Sequence, residues 1–417
     1  MIKYIDNPYK MCILYTDNKG AITYVVAPLL HSKYFKNRTA SGRMEESFMK
    51  FTFQIPTKVY FEKNCITNHL EIFTYCGSRA AIVTGKHSAK ASGALDDVTN
   101  VLKNAGIAYE VYDSVENNPS IETVEDITEK VKAFKANFII GIGGGSPIDA
   151  SKAIAVLAAN EMHAADLFKN DFTKALPIVA IPITSGTGSE VTPYSVLLRK
   201  DMETKVSFGN SLTYPAYALL DPGYTVSMND KTTVSTLIDA FTHVMEGYLA
   251  KRSTIFSTMM SLEGMKTFAE CIPGLKSKKY DYNFREKAAY VSLMGGLVIA
   301  QTGVTLPHGL GYCYTYFHQI PHGIANGLFV REYLKRCETT VKEKVDVVLK
   351  LLGENSVDSF GDTLEQLIGK PPKLDQEQIE QYAKLSLLQA GSISNTPFEL
   401  SEEDIARVWE KQNDHAE

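Results

Sequence analysis

An α/β domain built on a mainly parallel sheet, followed by an all-helical domain, is the fold this chain predicts. Three observations carry that expectation. Strand and helix signals alternate from about residue 55 to 225, a glycine-rich turn follows the apolar run that starts at Phe138, and beyond Asp221-Pro222-Gly223 apolar residues recur with helical spacing. In chain order, residues 79–84 read as a strand, 91–105 as a helix, 108–112 as a strand, 121–134 as a helix and 137–142 as the strand that feeds the turn. Helices on both faces of such a sheet leave ligands at the carboxyl ends of its strands. The later stretches with helical period are 231–250, 255–269, 283–300, 324–351, 374–390 and 401–412. The expected organisation is therefore an extension at 1–48, an α/β domain at 49–225 and a helical domain at 226–417, without internal repeats.

Composition narrows the class. With 417 residues, 44% of them apolar, the chain can bury a large core in two domains. A net charge of −5 lacks the basic footprint of a nucleic-acid partner. No apolar stretch approaches the roughly 18–20 uncharged residues that cross a bilayer, so no membrane partner is expected. The six cysteines contain no Cys-x-x-Cys pair, which predicts reduced thiols and a cytoplasmic location. Cys313 is expected to serve packing.

The turn itself reads Gly141-Ile142-Gly143-Gly144-Gly145-Ser146-Pro147-Ile148-Asp149. Pro147 falls where the first turn of a helix tolerates it, and Ala150, Ala153, Ile154 and Leu157 continue with helical spacing. Backbone N–H groups of Gly143, Gly144, Gly145 and Ser146, with a helix N-terminus behind them, make a cradle for a pyrophosphate. It departs from the usual dinucleotide fingerprint. Ser146 stands in place of the last glycine, and the turn follows a third strand rather than a first.

Downstream, Asp239 and His243 lie four residues apart on a predicted helix, so carboxylate and imidazole share one face. His308 and His322 each precede a glycine, in Leu-Pro-His-Gly and Ile-Pro-His-Gly, where the glycine is expected to let the backbone turn beneath the imidazole. One carboxylate and three imidazoles suit zinc or ferrous iron better than calcium or magnesium. His318, four residues before His322, leaves a second way of choosing ligands. With three neutral imidazoles and one carboxylate, a divalent ion would keep a net charge of about +1.

With Gly-Gly-Gly-Ser-Pro-Ile-Asp-Ala-Ser-Lys at 143–152, Ile-Pro-Ile-Thr-Ser-Gly-Thr-Gly-Ser-Glu-Val-Thr at 181–192, Leu-Leu-Asp-Pro at 219–222, Asp-Ala-Phe-Thr-His at 239–243 and the paired His-Gly segments, the chain resembles the iron-containing (group III) alcohol dehydrogenase family. The resemblance runs from about residue 49 to near the C-terminus. Met49-Lys50-Phe51 resembles the family's usual start. Met49 is accordingly expected to be the natural initiator, with Met44-Glu45-Glu46 encodable by a ribosome-binding sequence and residues 1–48 poorly packed.

The resemblance implies a metal-dependent alcohol dehydrogenase or aldehyde reductase, moving a hydride between NADP(H) and a small primary alcohol, diol or aldehyde. Iron is the family's metal, while intrinsic affinity favours zinc. Asp149, Thr184, Ser185, Thr187 and Lys205 are carried to the cofactor cleft, with helix capping as the other reading of Thr184 and Ser185, and Glu190 is expected to hold backbone. The strand at 79–84 leads into Gly85, where NAD-using relatives carry aspartate. Gly85 removes the repulsion of a 2′-phosphate that Ser88, Lys86 or Lys90 can bind, which favours NADP(H) over NAD(H). Solvated surface charges are the other reading of the two lysines. Many relatives carry a histidine where this chain has Tyr312, a weaker base at neutral pH, so Tyr312 is expected to line the pocket with Phe241, Met245 and Phe317. His318 is the other candidate for a proton relay. Relatives are commonly dimers or larger. The alternative readings are a dehydroquinate synthase-like lyase, which needs a Lys/Arg cluster near the metal, and a glycerol dehydrogenase-like relative.

Overall fold

The computed structural model describes residues 51–202 and 204–416, together with the strands Cys12–Thr16 (β1) and Ile22–Val26 (β2). These two strands pair antiparallel, with Cys12 opposite Val26 and Thr16 opposite Ile22. The rest of the expected extension at 1–48, with its proposed start at Met49, lies outside the described residues.

From Lys58 to Leu220 the chain builds one six-stranded sheet and a separate two-stranded ribbon. The sheet contains β3 (Lys58–Phe61), β4 (Arg79–Thr84), β5 (Ala108–Tyr112), β6 (Phe138–Gly143), β7 (Ile178–Pro182) and β10 (Tyr217–Leu220), in the order β3-β10-β7-β6-β4-β5. Every pairing is parallel. The ribbon pairs β8 (Ser195–Arg199) antiparallel with β9 (Thr204–Phe208). Central strands buried on both faces need unbroken apolar runs, and Phe138 to Gly143 is buried throughout. From β4 the winding goes one way to β5, and from β6 it goes the other way to β7. The order thus reverses between β4 and β6, which opens the crevice where sheets of this kind bind ligands.

Beyond residue 229 the described residues are helical. The helix Asp230–Leu249 is capped by Asn229, whose side chain accepts from the Thr232 N–H, and nearly all of it from Thr233 onward is buried. A helix buried all round is the centre of its layer. The helices Ile255–Ser277, Tyr282–Thr302, His322–Gly327 and Val330–Leu352 pack around it.

The helical boundaries differ from the expected ones where breakers sit inside packed elements. Leu306–Phe317 is a helix although Pro307, Gly309 and Gly311 depress its intrinsic propensity, because Leu306, Leu310, Cys313 and Tyr314 bury its apolar side. Val357–Ile368 is a further helix that the periodicity did not mark. The stretch at 324–351 divides into His322–Gly327 and Val330–Leu352.

The glycines after the two histidines also act differently from the expected turns, since both lie inside helices and neither has positive φ. Gly323 permits contact between helices. A Cβ there would meet the Ser235 carbonyl oxygen at 1.9 Å and the Asp239 Cβ at 2.7 Å. Gly323→Ala is expected to cost about 1–3 kcal/mol through overpacking against backbone, read as a lower melting temperature. An unchanged melting temperature would mean the two helices part without cost.

Candidate metal centre and cofactor cleft

Asp239, His243 and Glu246 stand at i, i+4 and i+7 of the helix Asp230–Leu249, so one helical face carries all three. His308 lies in the first turn of Leu306–Phe317, and His322 opens His322–Gly327. Their side chains converge. The Asp239 Oδ1 lies 3.6 Å from His308 Nε2, 3.9 Å from His243 Nε2 and 3.9 Å from His322 Nε2. Ligand atoms of Asp239, His308 and His322 all lie within 4.8 Å of one another. His243 stacks its ring on His308 at 4.7 Å between centroids.

The donor set fits a cation. Four atoms held about 2.1 Å from a tetrahedral ion stand about 3.4 Å apart, a few tenths of an ångström inside the separations around Asp239. His308 Nε2 is buried with no hydrogen-bond partner. Burial lowers the pKa of the His243 and His322 imidazoles. Burial also lowers His308, but Glu246 and Asp239 outweigh it and hold this imidazole up at about 9. Burial raises the Asp239 carboxyl, yet His243, His322 and His308 outweigh it and keep the group well below the carboxylate range. The cluster therefore demands positive charge, which a proton or a metal ion can meet.

Two neighbours of the cluster were not singled out from the sequence. Glu246 is fully buried, and its Oε1 lies 2.7 Å from His308 Nδ1. It places a second carboxyl group beside the cluster. The Asn326 Nδ2 lies 3.1 Å from Asp239 Oδ1 and 3.2 Å from His322 Nε2. Spacing could have signalled both, since Glu246 follows His243 by three residues and Asn326 follows His322 by four.

His318 is turned elsewhere, with its Nε2 2.9 Å from the Tyr382 hydroxyl. Tyr312 stacks on His322 at 5.5 Å between centroids, and burial pushes its phenol pKa up. Lys205, buried on β9, holds its Nζ 5.4 Å from the centre of the Tyr312 ring. Burial pulls this ammonium down to about 8, against the opposing pull of Asp239 and Asp149. Phe241 and Met245, expected as pocket liners, are core residues instead. Phe241 lies two positions from Asp239 and so points to the opposite side, stacking on Phe268 at 4.4 Å. Phe317 stacks on Tyr382 at 5.0 Å.

At the sheet's crevice, the glycine turn leads from β6 into the helix Gly145–Ala159. A Cβ on Gly144 would meet Thr184 Oγ1 at 3.0 Å, and one on Gly145 would meet Thr187 Cγ2 at 2.8 Å. The turn and the Thr-Ser-Gly-Thr loop after β7 thus close on each other. Neither Thr184 nor Ser185 caps a described helix, and the Ser185 Oγ is buried without a partner. Such a hydroxyl lacks the compensation that buried polar groups need, unless a ligand supplies it. Ser146 Oγ accepts from the Asn118 N–H at 3.1 Å.

Asp149, expected in the cleft, is engaged with the protein. Its carboxylate accepts from Ser189 Oγ at 2.5 Å and from the Val196 N–H at 3.0 Å. Lys152, buried beneath it, donates to Ser189 Oγ at 2.7 Å and to the Tyr194 carbonyl at 2.6 Å. The pair pins residues 189–196 beneath the crevice. Glu190 is buried beside them, and burial raises its carboxyl to about 7.

Gly85 follows β4 on the other side of the crevice, and Lys86, Ser88 and Lys90 are exposed around it. The crevice and the histidine cluster meet through the loop after β7. A Cβ on Gly186 would touch Thr236 at 2.7 Å, one turn before Asp239 on the same helix.

Comparison with known proteins bears on both halves of the chain. Residues 56–222 match the family model for iron-containing alcohol dehydrogenase, and residues 233–412 match the C-terminal model of the Fe-containing alcohol dehydrogenase family. Over 384 residues the chain is 28% identical to the NADPH-dependent butanol dehydrogenase of Clostridium saccharobutylicum, covering 87% of this chain and 97% of that one. It is 31% identical over 286 residues to the probable NADH-dependent butanol dehydrogenase 2 of Bacillus subtilis, covering 67% and 73%. An iron-containing alcohol dehydrogenase structure from Thermotoga maritima superposes with a TM-score of 0.82 at 36% identity, covering 88% of this chain and all of that one. A 1,3-propanediol oxidoreductase structure gives 0.80 at 25% identity, covering 87% and 100%.

Proposed function

The chain belongs to the iron-containing alcohol dehydrogenase family, and from that premise we propose that it reduces small aldehydes and oxidises small primary alcohols or diols with NADP(H). In this reading residues 49–225 are the dinucleotide-binding domain and 226–417 the helical metal-binding and substrate domain. The observation that carries it is the convergence of three imidazole nitrogens on the Asp239 Oδ1, across one loop from a glycine cradle at the switch point of a parallel sheet.

Bound there, ferrous iron or zinc supplies Lewis acidity toward a substrate oxygen, and the nicotinamide supplies or accepts hydride. The chain's own residues do the rest. Asp239, His243, His308 and His322 hold the ion, while Gly143, Gly144, Gly145 and Ser146 offer backbone N–H groups to the pyrophosphate. Thr184, Ser185 and Thr187 present hydroxyls toward the ribose and nicotinamide side. Lys205 brings a cation between Asp239 and Asp149, where it can meet a ribose oxygen or a developing negative charge. Tyr312 and His322 form one stacked wall that excludes water. Asp149 contributes by holding the floor of the cleft in place.

The cofactor preference rests on Gly85 with Ser88, Lys86 and Lys90 around it. The named relatives include both an NADPH-dependent and an NADH-dependent butanol dehydrogenase, so this segment, rather than the family, carries the preference. A homo-oligomer is proposed from the family resemblance and a cytoplasmic location from the scattered cysteines, and sedimentation velocity reads the first.

Butanal and 3-hydroxypropanal, offered with NADPH or NADH to protein reconstituted separately with iron and zinc, test the reading. NADPH is expected to be consumed stoichiometrically with aldehyde, and chelation of the metal to stop it. Turnover of a phosphorylated substrate with no net loss of NADPH would favour the lyase-type alternative.

A further inference from the structure

Glu246 has three donors within reach and no solvent. Its Oε2 accepts from the Thr305 N–H at 2.7 Å and faces the Thr305 hydroxyl at 2.9 Å, and its Oε1 lies 2.7 Å from His308 Nδ1. The Thr305 hydroxyl lies in turn 3.1 Å from that of Tyr333. Thr305 is the N-cap of the helix whose first turn carries His308, so one carboxylate grips the start of that helix and the ring it presents.

We infer that Glu246 is a positioning residue that fixes the tautomer and orientation of His308, leaving Nε2 free for the metal. The inference rests on the metal reading of the cluster. Oε1 at 2.7 Å is an acceptor for an Nδ1–H, and Nε2 is then the ring atom left facing the Asp239 Oδ1 at 3.6 Å. Carboxylates behind metal-bound imidazoles act in this way generally, by holding the ring and raising its basicity.

Glu246→Gln separates this role from simple packing, because it keeps shape and volume. If the amide carbonyl faces His308, the amide NH2 opposes the Thr305 N–H, donor against donor. If the amide turns over, its NH2 donates to Nδ1, and the His308 proton is forced onto Nε2, the ligand atom. Either arrangement weakens metal binding.

The test is Co2+ titration of metal-free full-length protein against a competing chelator, followed by the visible spectrum of the bound ion. Glu246→Gln is expected to weaken Co2+ binding by about 10- to 100-fold and to alter the d–d bands, while the affinity for NADPH stays unchanged. With His308 already replaced by alanine, Glu246→Gln is expected to add no further loss. Should Glu246→Gln fail to fold, Thr305→Val keeps the backbone donor, removes only the hydroxyl, and is expected to give a smaller loss in the same direction. Wild-type affinity and spectrum in the Gln variant, or in Thr305→Val where the Gln variant does not fold, overturn the inference. Failure of the wild-type chain to bind Co2+ sinks the metal reading itself.

Discussion

Asp239→Ala is expected to leave the folded protein without its metal and to lower aldehyde turnover by about a thousandfold or more, roughly 4 kcal/mol of lost transition-state stabilisation. The carboxylate is the one anionic ligand, and its Oδ1 is the point on which His243, His308 and His322 all converge. Alanine leaves three imidazoles and the Glu246 carboxylate, which is tied to Thr305 and His308 Nδ1 and does not face the ion. His243→Ala should act in the same direction with a smaller loss of affinity, because Asp239, His308 and His322 still lie within reach of one another. Metal content by elemental analysis and initial rates with NADPH read the two effects, with circular dichroism to establish folding. Full turnover in a variant carrying both Asp239→Ala and His243→Ala would end the metal interpretation.

Gly85→Asp is expected to shift the ratio of kcat/KM for NADPH over NADH by about 10- to 100-fold toward NADH. The backbone at Gly85 does not have positive φ, and an added Cβ would stand 3.4 Å from the Val115 carbonyl oxygen and 3.8 Å from Ser88 Oγ. An aspartate therefore fits with little steric cost. What it adds is a carboxylate that can accept from both ribose hydroxyls and that repels a 2′-phosphate. Because the segment is exposed, salt will reduce the repulsion, and the shift should shrink as ionic strength rises. A ratio unmoved by the substitution, or a wild-type chain that prefers NADH, would sink the cofactor assignment.

Much of the α/β half was legible in local pattern. The strands at 79–84 and 108–112 and the helix at 121–134 have the expected bounds, the first marked by its apolar run Ala80–Val83 and the last by its amphipathic repeat. Leu306–Phe317 was not legible, since Pro307 and its two glycines argue locally against the helix that its buried residues stabilise. Glu246 stood in view beside His243 but had no meaning until Thr305 and His308, about sixty residues on, came into contact with it. Phe241 and Met245 were misplaced for a related reason. Membership of the right helix does not say which of its faces meets the cleft, and Phe241 lies on the side packed against Phe268 and Phe360.

Short-range spacing in the sequence was enough to put Asp239 and His243 on one face of a helix and to write a phosphate-cradling turn after β6. The family resemblance, rather than spacing, pointed to Gly85 as the position expected to bear on a 2′-phosphate. Tertiary structure alone decided that His322 rather than His318 joins the cluster, that Asp149 turns inward to Ser189, and that Gly323 lets two helices close until the imidazoles meet Asp239. The physical reason is range. Helical and strand periodicities act over a few residues, whereas a metal site needs atoms from chain segments some eighty residues apart within a few ångströms, and only the packing of whole helices sets that distance.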